Sequence, residues 1–231
     1  IDVDNIICFT LCPSKSLSQR LLIINYLKKE PSSFQKLSNC EDIDVLYHAL
    51  YSKEKNIYVK QSGTAMRFLL SMFAYENREV VISGDDSLFN RPISTLIESL
   101  NMLGANIIKK NDKIVIKKGN LIGGVLNFDL IPTSQFISSL LLVGPYIRHG
   151  LPLNFPQDIY SKSYVNMTVS MMQNCGVKLA IKNNQISVHE GFYTESIHLL
   201  ESDWSSASYL FLAFLFSAFK KIKMKFLNKN S

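Results

Sequence analysis

An internal repeat constrains this chain more than any other feature. Gly104, the pair Asn111-Asp112 and Gly119 recur 72 positions later as Gly176, Asn183-Asn184 and Gly191. Self-similarity at a fixed period defines the supersecondary unit before any single residue is interpreted. In the first copy Ile93, Leu96, Ile97, Leu100 and Leu103 fall at helical spacing. Pro92 suits the first helical turn and Gly104 the C-terminal cap. Ile107-Ile108 and Ile114-Val115-Ile116 flank Asn111-Asp112, a hairpin pattern. The second copy, from Ser163-Tyr164-Val165 to Gly191, keeps the same order of helix, glycine stop, strand, polar turn and strand.

The same offset relates Gly63-Thr64 to Gln135-Phe136, and Thr133-Ser134 to Ser205-Ser206. Residues 14–200 then hold three helix pairs: 16–28 with 40–51, 64–75 with 91–103, and 134–148 with 162–175. The expected fold class is mixed α/β (α+β). Three repeated βαβαββ units would close about a pseudo-threefold axis, helices inside and sheets outside. That closure would point several helix starts at one place.

Those starts carry unusual chemistry. Pro13-Ser14-Lys15-Ser16-Leu17-Ser18-Gln19-Arg20 puts two cations and several hydroxyls ahead of the apolar run Leu21-Leu22-Ile23-Ile24. A helix N-terminus offers unpaired N–H groups and the positive end of a dipole. With Ser and Lys added, it suits a phosphorylated ligand. Arg20 lies one turn beyond Ser16 on the same face. The other starts carry Gly63-Thr64, Thr133-Ser134-Gln135 and Ser161, with Arg91 beside them. Ordinary capping explains each Ser or Thr singly. It does not explain Lys15, Arg20 and Arg91 at the same places.

Composition narrows the classes. With 47% hydrophobic residues over 231 positions, the chain can bury a substantial core. A net charge of +6 fits acidic ligands, and the lysines Lys220, Lys221, Lys223, Lys225 and Lys229 gather near the end. No nucleic-acid-binding signature accompanies them, and aromatics do not alternate with the cations as a stacking platform requires. Cys8, Cys12, Cys40 and Cys175 fit neither a zinc site nor a disulfide scaffold. His48, His149, His189 and His198 are dispersed. No metal or cofactor is expected. The start Ile1-Asp2-Val3-Asp4 has no leader pattern, and the apolar stretch Tyr209–Phe219 is shorter than a bilayer span. A cytoplasmic protein with reduced thiols and no membrane or nucleic-acid partner is expected.

Six segments in order resemble the 5-enolpyruvylshikimate-3-phosphate synthase family. They are Ser14–Arg20; Gly63-Thr64-Ala65-Met66-Arg67; Gly84-Asp85 with Arg91-Pro92-Ile93; Thr133-Ser134-Gln135-Phe136; Ser161-Lys162-Ser163-Tyr164; and Glu201 to Tyr209. The resemblance implies an enolpyruvyl-transferase-like fold. It also implies transfer of the enolpyruvyl group of phosphoenolpyruvate to the 5-hydroxyl of shikimate 3-phosphate, without metal, by addition and elimination. Lys15 would contact both substrates and stabilise charge at the reacting centre. Ser16, Arg20, Thr133, Ser134, Gln135, Ser161 and Tyr164 would hold shikimate 3-phosphate. Gln61, Gly63, Arg91 and Gln135 would hold phosphoenolpyruvate. Arg67 is read as structural, and Asp85 and Asp86 as a solvated turn. Gln61, Thr133 and Ser163 stand where the family has Asn, Ser and Pro.

The family has two similar domains with the site in the cleft between them, and the full-length protein is expected to be monomeric. On that pattern residues 1–13 are the first strand pieces of the second domain. Residues 14–200 are the shikimate 3-phosphate domain, and 201–231 open the second domain. The second domain's carboxylates and further cations lie beyond Ser231 on this expectation. The apolar residues Phe211, Leu212, Phe214, Leu215, Phe216 and Phe219 would then lack burial. Three other readings compete: the sister UDP-N-acetylglucosamine enolpyruvyl transferase, a non-catalytic phosphosugar-binding remnant, and a basic nucleic-acid-binding domain. The sister family favours Lys-Asn where this chain has Lys15-Ser16, and it carries a loop cysteine absent here.

Overall fold

The computed structural model describes residues 6–30, 37–129, 133–156 and 161–228. Two stretches of the chain build the same motif. In the first, β2 (Asn56–Tyr58), α3 (Gly63–Tyr75), β3 (Val80–Ser83), the short α4 (Asp86–Phe89), α5 (Ser94–Met102), β4 (Asn106–Lys109) and β5 (Lys113–Lys117) follow in order. In the second, β6 (Leu126–Asn127), α6 (Ser134–Val143), β7 (Leu151–Asn154), α7 (Lys162–Asn174), β8 (Leu179–Lys182) and β9 (Gln185–Val188) follow. The sheets have orders β2-β3-β5-β4 and β6-β7-β9-β8, so strand for strand they are the same. In each, the first pair is parallel and the remaining pairs are antiparallel.

The glycines of the repeat explain the shared geometry. Gly104 and Gly176 both take positive φ, +97° and +87°, just past the helices they terminate. L-residues avoid that region, so the helix stop and the turn into the hairpin depend on glycine there. Asn183 also takes positive φ, 46°, in the β8–β9 turn, a conformation Asn tolerates.

The first unit differs from the expected pattern. It contributes α1 (Lys15–Lys28) and α2 (Glu41–Tyr51), but among the described residues it has no four-stranded sheet of its own. Two helices are also shorter than expected. The helix begun at Ser134 closes at Val143 and continues as a single 3₁₀ turn, Gly144–Tyr146, because Pro145 has no N–H to extend the ladder. Pro92 lies ahead of α5, which starts at Ser94 rather than at Arg91.

The helices pack on one another at the centre. Contacts run from α1 to α2, α2 to α3, α3 to α6, α6 to α7, and α7 back to α1. The inner helices α1, α3 and α6 bury Leu22, Ile23, Phe68, Leu69, Phe136 and Leu140 almost completely. Ser71, Ser138 and Ser139 on these helices are buried too, and each finds a partner. Ser71 Oγ and Ser139 Oγ are 2.6 Å apart, and Ser139 Oγ donates to Arg67 O at 2.6 Å. Helices inside and sheets outside is therefore the observed arrangement.

A separate layer flanks this core. β1 (Ile6–Thr10) pairs in parallel with β10 (Lys221–Lys225), and α8 (Trp204–Leu215) packs beside them. Two crossing strands join the layer to the core: Ser14 N donates to Glu201 O, and Asp203 N donates to Cys12 O. Ala207 is the one fully covered residue of α8. Tyr209, Leu215 and Phe216 stand 75%, 75% and 85% exposed. An apolar face of that kind is a surface for association.

These contrasts give a stability prediction. Phe136→Ala should cost about 3–5 kcal/mol, because Phe136 is fully enclosed between inner helices. Leu212→Glu on the open face of α8 should stay within about 0.5 kcal/mol of wild type while raising solubility. Urea unfolding midpoints of the two variants measure both.

Candidate functional site

The N-terminal tips of α1, α2, α3, α6 and α7 meet at one end of the helix core, and side chains tie each to the next. Lys15 Nζ, on the first residue of α1, lies 2.9 Å from Asp42 Oδ2 in the first turn of α2. Asp42 in turn lies near the Ser62 hydroxyl and feels the charge of Arg91, and both hold its carboxyl low. Ser62 caps α3 by accepting from Ala65 N at 3.4 Å. Arg67, one turn along α3, donates from Nη1 to Gln135 Oε1 at the start of α6, and from Nη2 to Pro92 O, both at 2.9 Å. Thr133 caps α6 by accepting from Gln135 N at 3.3 Å.

Arg20 closes the circuit on the other side. Its Nε donates to Thr168 Oγ1 at 2.7 Å and its Nη1 to Ser16 O at 2.7 Å. Its Nη2 donates to Ser138 Oγ and Tyr164 O, both at 3.3 Å. Tyr164 N donates to the carbonyl of Ser161, which opens α7 in a left-handed conformation with φ 57°. Lys15, Arg91, Gln135 and Ser161 therefore belong to one continuous face.

Gly63 sits where this face is tightest. A Cβ there would lie 2.7 Å from Arg67 Nη1 and 3.0 Å from Arg91 Nη1. Two guanidinium groups thus close on the bare Cα of the first residue of α3, whose N–H points out of the helix end. Neither of the protein groups that accept from Arg67 is a carboxylate. Five N-terminal dipoles and several cations with so little acidic compensation suit an anion.

The electrostatics agree. Burial holds the Arg67 guanidinium down at about 10, and the charge of Arg91 adds to that. Burial holds Arg20 down at about 10 as well. Each rests on an aromatic face, Arg20 5.7 Å from the Phe68 ring centre and Arg67 5.5 Å from that of Phe136. Lys15 is pushed up, chiefly by its hydrogen bond to Asp42, with Cys40 and Asp203 contributing. Burial acts to raise Asp42, but Lys15, Ser62 and Arg91 together hold it below its ordinary value.

Most residues named from sequence reach the face. Lys15, Arg91, Ser161 and Tyr164 are exposed on it, Ser16, Thr133 and Gln135 are half-buried, and Gly63 and Ser134 are buried at helix starts. Two are placed differently from expectation. Arg20 is 2% exposed and lies beneath the face, four of its five N–H groups taken by protein oxygens. Gln61 is exposed, and its side chain lies near Asp85, helping to hold that carboxyl low; Asp85 accepts from the Tyr58 hydroxyl. Arg67, Asp42, Ser138 and Thr168 were not singled out as site residues. Acidic residues are ordinary in a first helical turn, so Asp42 gave no signal.

The fold and this face define an α/β domain of pseudo-threefold design whose helix tips suit an anion. Comparisons with known proteins place it in a family. The model of the family described as EPSP synthase (3-phosphoshikimate 1-carboxyvinyltransferase) matches residues 46–231. The chain belongs to that family. It is similar to the 3-phosphoshikimate 1-carboxyvinyltransferase of Bacteroides fragilis (strain YCH46), with 34% identity over 201 residues, covering 85% of this chain and 49% of that protein. The enzyme of that name from Buchnera aphidicola subsp. Cinara cedri is 28% identical over 233 residues, covering 87% of this chain and 54% of the relative. A solved EPSP synthase from Acinetobacter baumannii superposes with a TM-score of 0.71 at 20% identity, covering 88% of this chain and 52% of that one. The chain thus spans about half the length of the curated relatives it matches.

The Lys15–Asp42 pair makes a pH prediction. Asp42, held low, contributes stability in full above its ordinary 3.8 and loses it as pH falls through the lower folded value. Lys15, held high, contributes in full below its ordinary 10.5 and loses it as pH rises through the higher folded value. Asp42→Asn should therefore lower the urea midpoint across the plateau between those limits, and the gap to wild type should close beyond either end. The pair is half-exposed, so the gap should be small.

Gly63→Ala should push the Arg67 and Arg91 Nη1 atoms aside, weakening inorganic phosphate binding by roughly tenfold or more while leaving the fold intact. Titration calorimetry against wild type measures it.

Proposed function

We propose that this chain is the shikimate 3-phosphate-binding half of an enolpyruvyl transferase. The reaction it serves moves the enolpyruvyl group of phosphoenolpyruvate onto the 5-hydroxyl of shikimate 3-phosphate and releases phosphate. The observation that carries this reading is the shared helix-tip face. Five helix starts, Lys15, Arg91 and two buried guanidinium groups converge there in a member of the EPSP synthase family.

On this reading Ser16, Thr133, Ser134, Ser161 and Tyr164 bind shikimate 3-phosphate, with Arg20 bracing Ser16 and Tyr164 from below. Its remaining Nη1 hydrogen is free to reach the ligand. Gly63 and Arg91 take the phosphate of phosphoenolpyruvate, and Gln135 bridges the two substrates. Lys15 stabilises charge at the reacting centre, and Asp42 orients it. Cationic donors fixed before the ligand arrives stabilise a developing anion without reorganisation. Two anions held side by side also gain in rate from proximity.

Carboxylates for proton transfer, further cations and the outer wall of the site belong to a second domain, of which β1, α8 and β10 form part. The exposed apolar side of α8 supports that division. Residues 14–200 then form the first domain. The protein works in the cytoplasm as a monomer, on small anionic substrates. The tip face by itself also supports a narrower reading, binding without turnover, because Asp42, a carboxylate of that face, is committed to Lys15.

Calorimetry of the 231-residue chain with shikimate 3-phosphate, with and without phosphoenolpyruvate, tests the proposal. Weak, saturable binding with no phosphate release is expected, rising to turnover when a complementary C-terminal half is added. Binding of a UDP-sugar, or no binding of either ligand, contradicts it.

A further inference from the structure

Arg67 is costly to bury. It is 6% exposed, its Nε has no hydrogen-bond partner, and a second guanidinium, Arg91, stands close to it across Gly63. A native structure retains such a group for a reason. Its two hydrogen bonds suggest the reason. Arg has five donors and no acceptor, so the Gln135 atom it meets must be the carbonyl oxygen. The amide therefore has one orientation. Its Nε2 is left without a protein acceptor among the described residues and is open to solvent on a half-buried side chain. The second bond, Nη2 to Pro92 O, anchors the segment that carries Arg91.

We propose that Arg67 is a positioning residue that sets the polarity of Gln135. By holding Oε1 it turns both amide hydrogens to the tip face, so Gln135 meets an acidic ligand with donors only. Were the amide free to turn, its carbonyl oxygen would face the same anion and repel it. The Pro92 bond makes the same guanidinium fix Arg91 and Gln135 relative to each other. The inference rests on the function proposed above for its choice of ligand, but not for the hydrogen bond itself.

Two measurements separate those dependencies. In the ligand-free, isotopically labelled chain, NMR should show two sharp Gln135 side-chain amide signals and contacts from Arg67 Nη hydrogens to the Gln135 side chain. Their absence overturns the proposal whatever the chain binds. Affinity for shikimate 3-phosphate should then fall about tenfold for Arg67→Met and about tenfold for Gln135→Met, as expected for one charge-assisted contact. The double variant should lose little more than either single one. Additive losses mean that Arg67 acts on the ligand or the fold directly, and they overturn the proposal. If Arg67→Met does not fold, Arg67→Lys replaces it in the cycle, since one ammonium cannot span both acceptors. Absence of any shikimate 3-phosphate binding by wild type contradicts the proposed function, and the amide signals still decide the role of Arg67.

Discussion

Everything at the functional end of this molecule depends on two arginines buried without a carboxylate to answer them. Arg20 and Arg67 sit beneath the helix tips, 2% and 6% exposed, bonded to hydroxyls, carbonyls and one amide. Buried charge in a protein is ordinarily paired, because desolvation costs several kcal/mol per ion. Here the compensation comes from neutral oxygens and the aromatic faces of Phe68 and Phe136. Such a centre stays electropositive, and it draws in an anion from outside. The helix dipoles add to the same field.

The pseudo-threefold arrangement is what makes the centre possible. Inner helices α1, α3 and α6 start at the same end, so their first turns share one volume. Arg20 lies over a ring from α3, and Arg67 over a ring from α6. On α6 the neighbouring positions are Ser138 and Ser139. Ser138 accepts from Arg20, while Ser139 donates to the Arg67 carbonyl. Two helices supply cations and the third supplies hydroxyls. A third arginine would have crowded the axis with like charge.

Much of this was legible in the sequence. Gly104 and Gly176 marked the repeat because positive φ excludes other residues at those stops. The tips were legible because Lys15, Arg20 and Arg91 stand at or beside helix starts whose Ser and Thr alone ordinary capping would explain. What was not legible depended on tertiary contact. Arg20 reads as a surface or ligand cation, since nothing local says that Thr168 and Ser138, more than a hundred residues away, will bury it. Gln61 reads as a ligand group, and nothing local says that Asp85 lies beside it. The pairing of Asp42 with Lys15 joins two helices whose separation in sequence carries no periodic signal. The first unit lacks a matching sheet among the described residues, and none of the 72-residue matches falls within it.

A backbone amide titration tests the account most directly. Adding shikimate 3-phosphate to the labelled chain should shift amides of Ser16, Gly63, Ser134, Gln135 and Tyr164 together, along one saturating curve. Shifts confined to the lysine-rich strand Lys221–Lys225, growing without saturation and vanishing with salt, would contradict it.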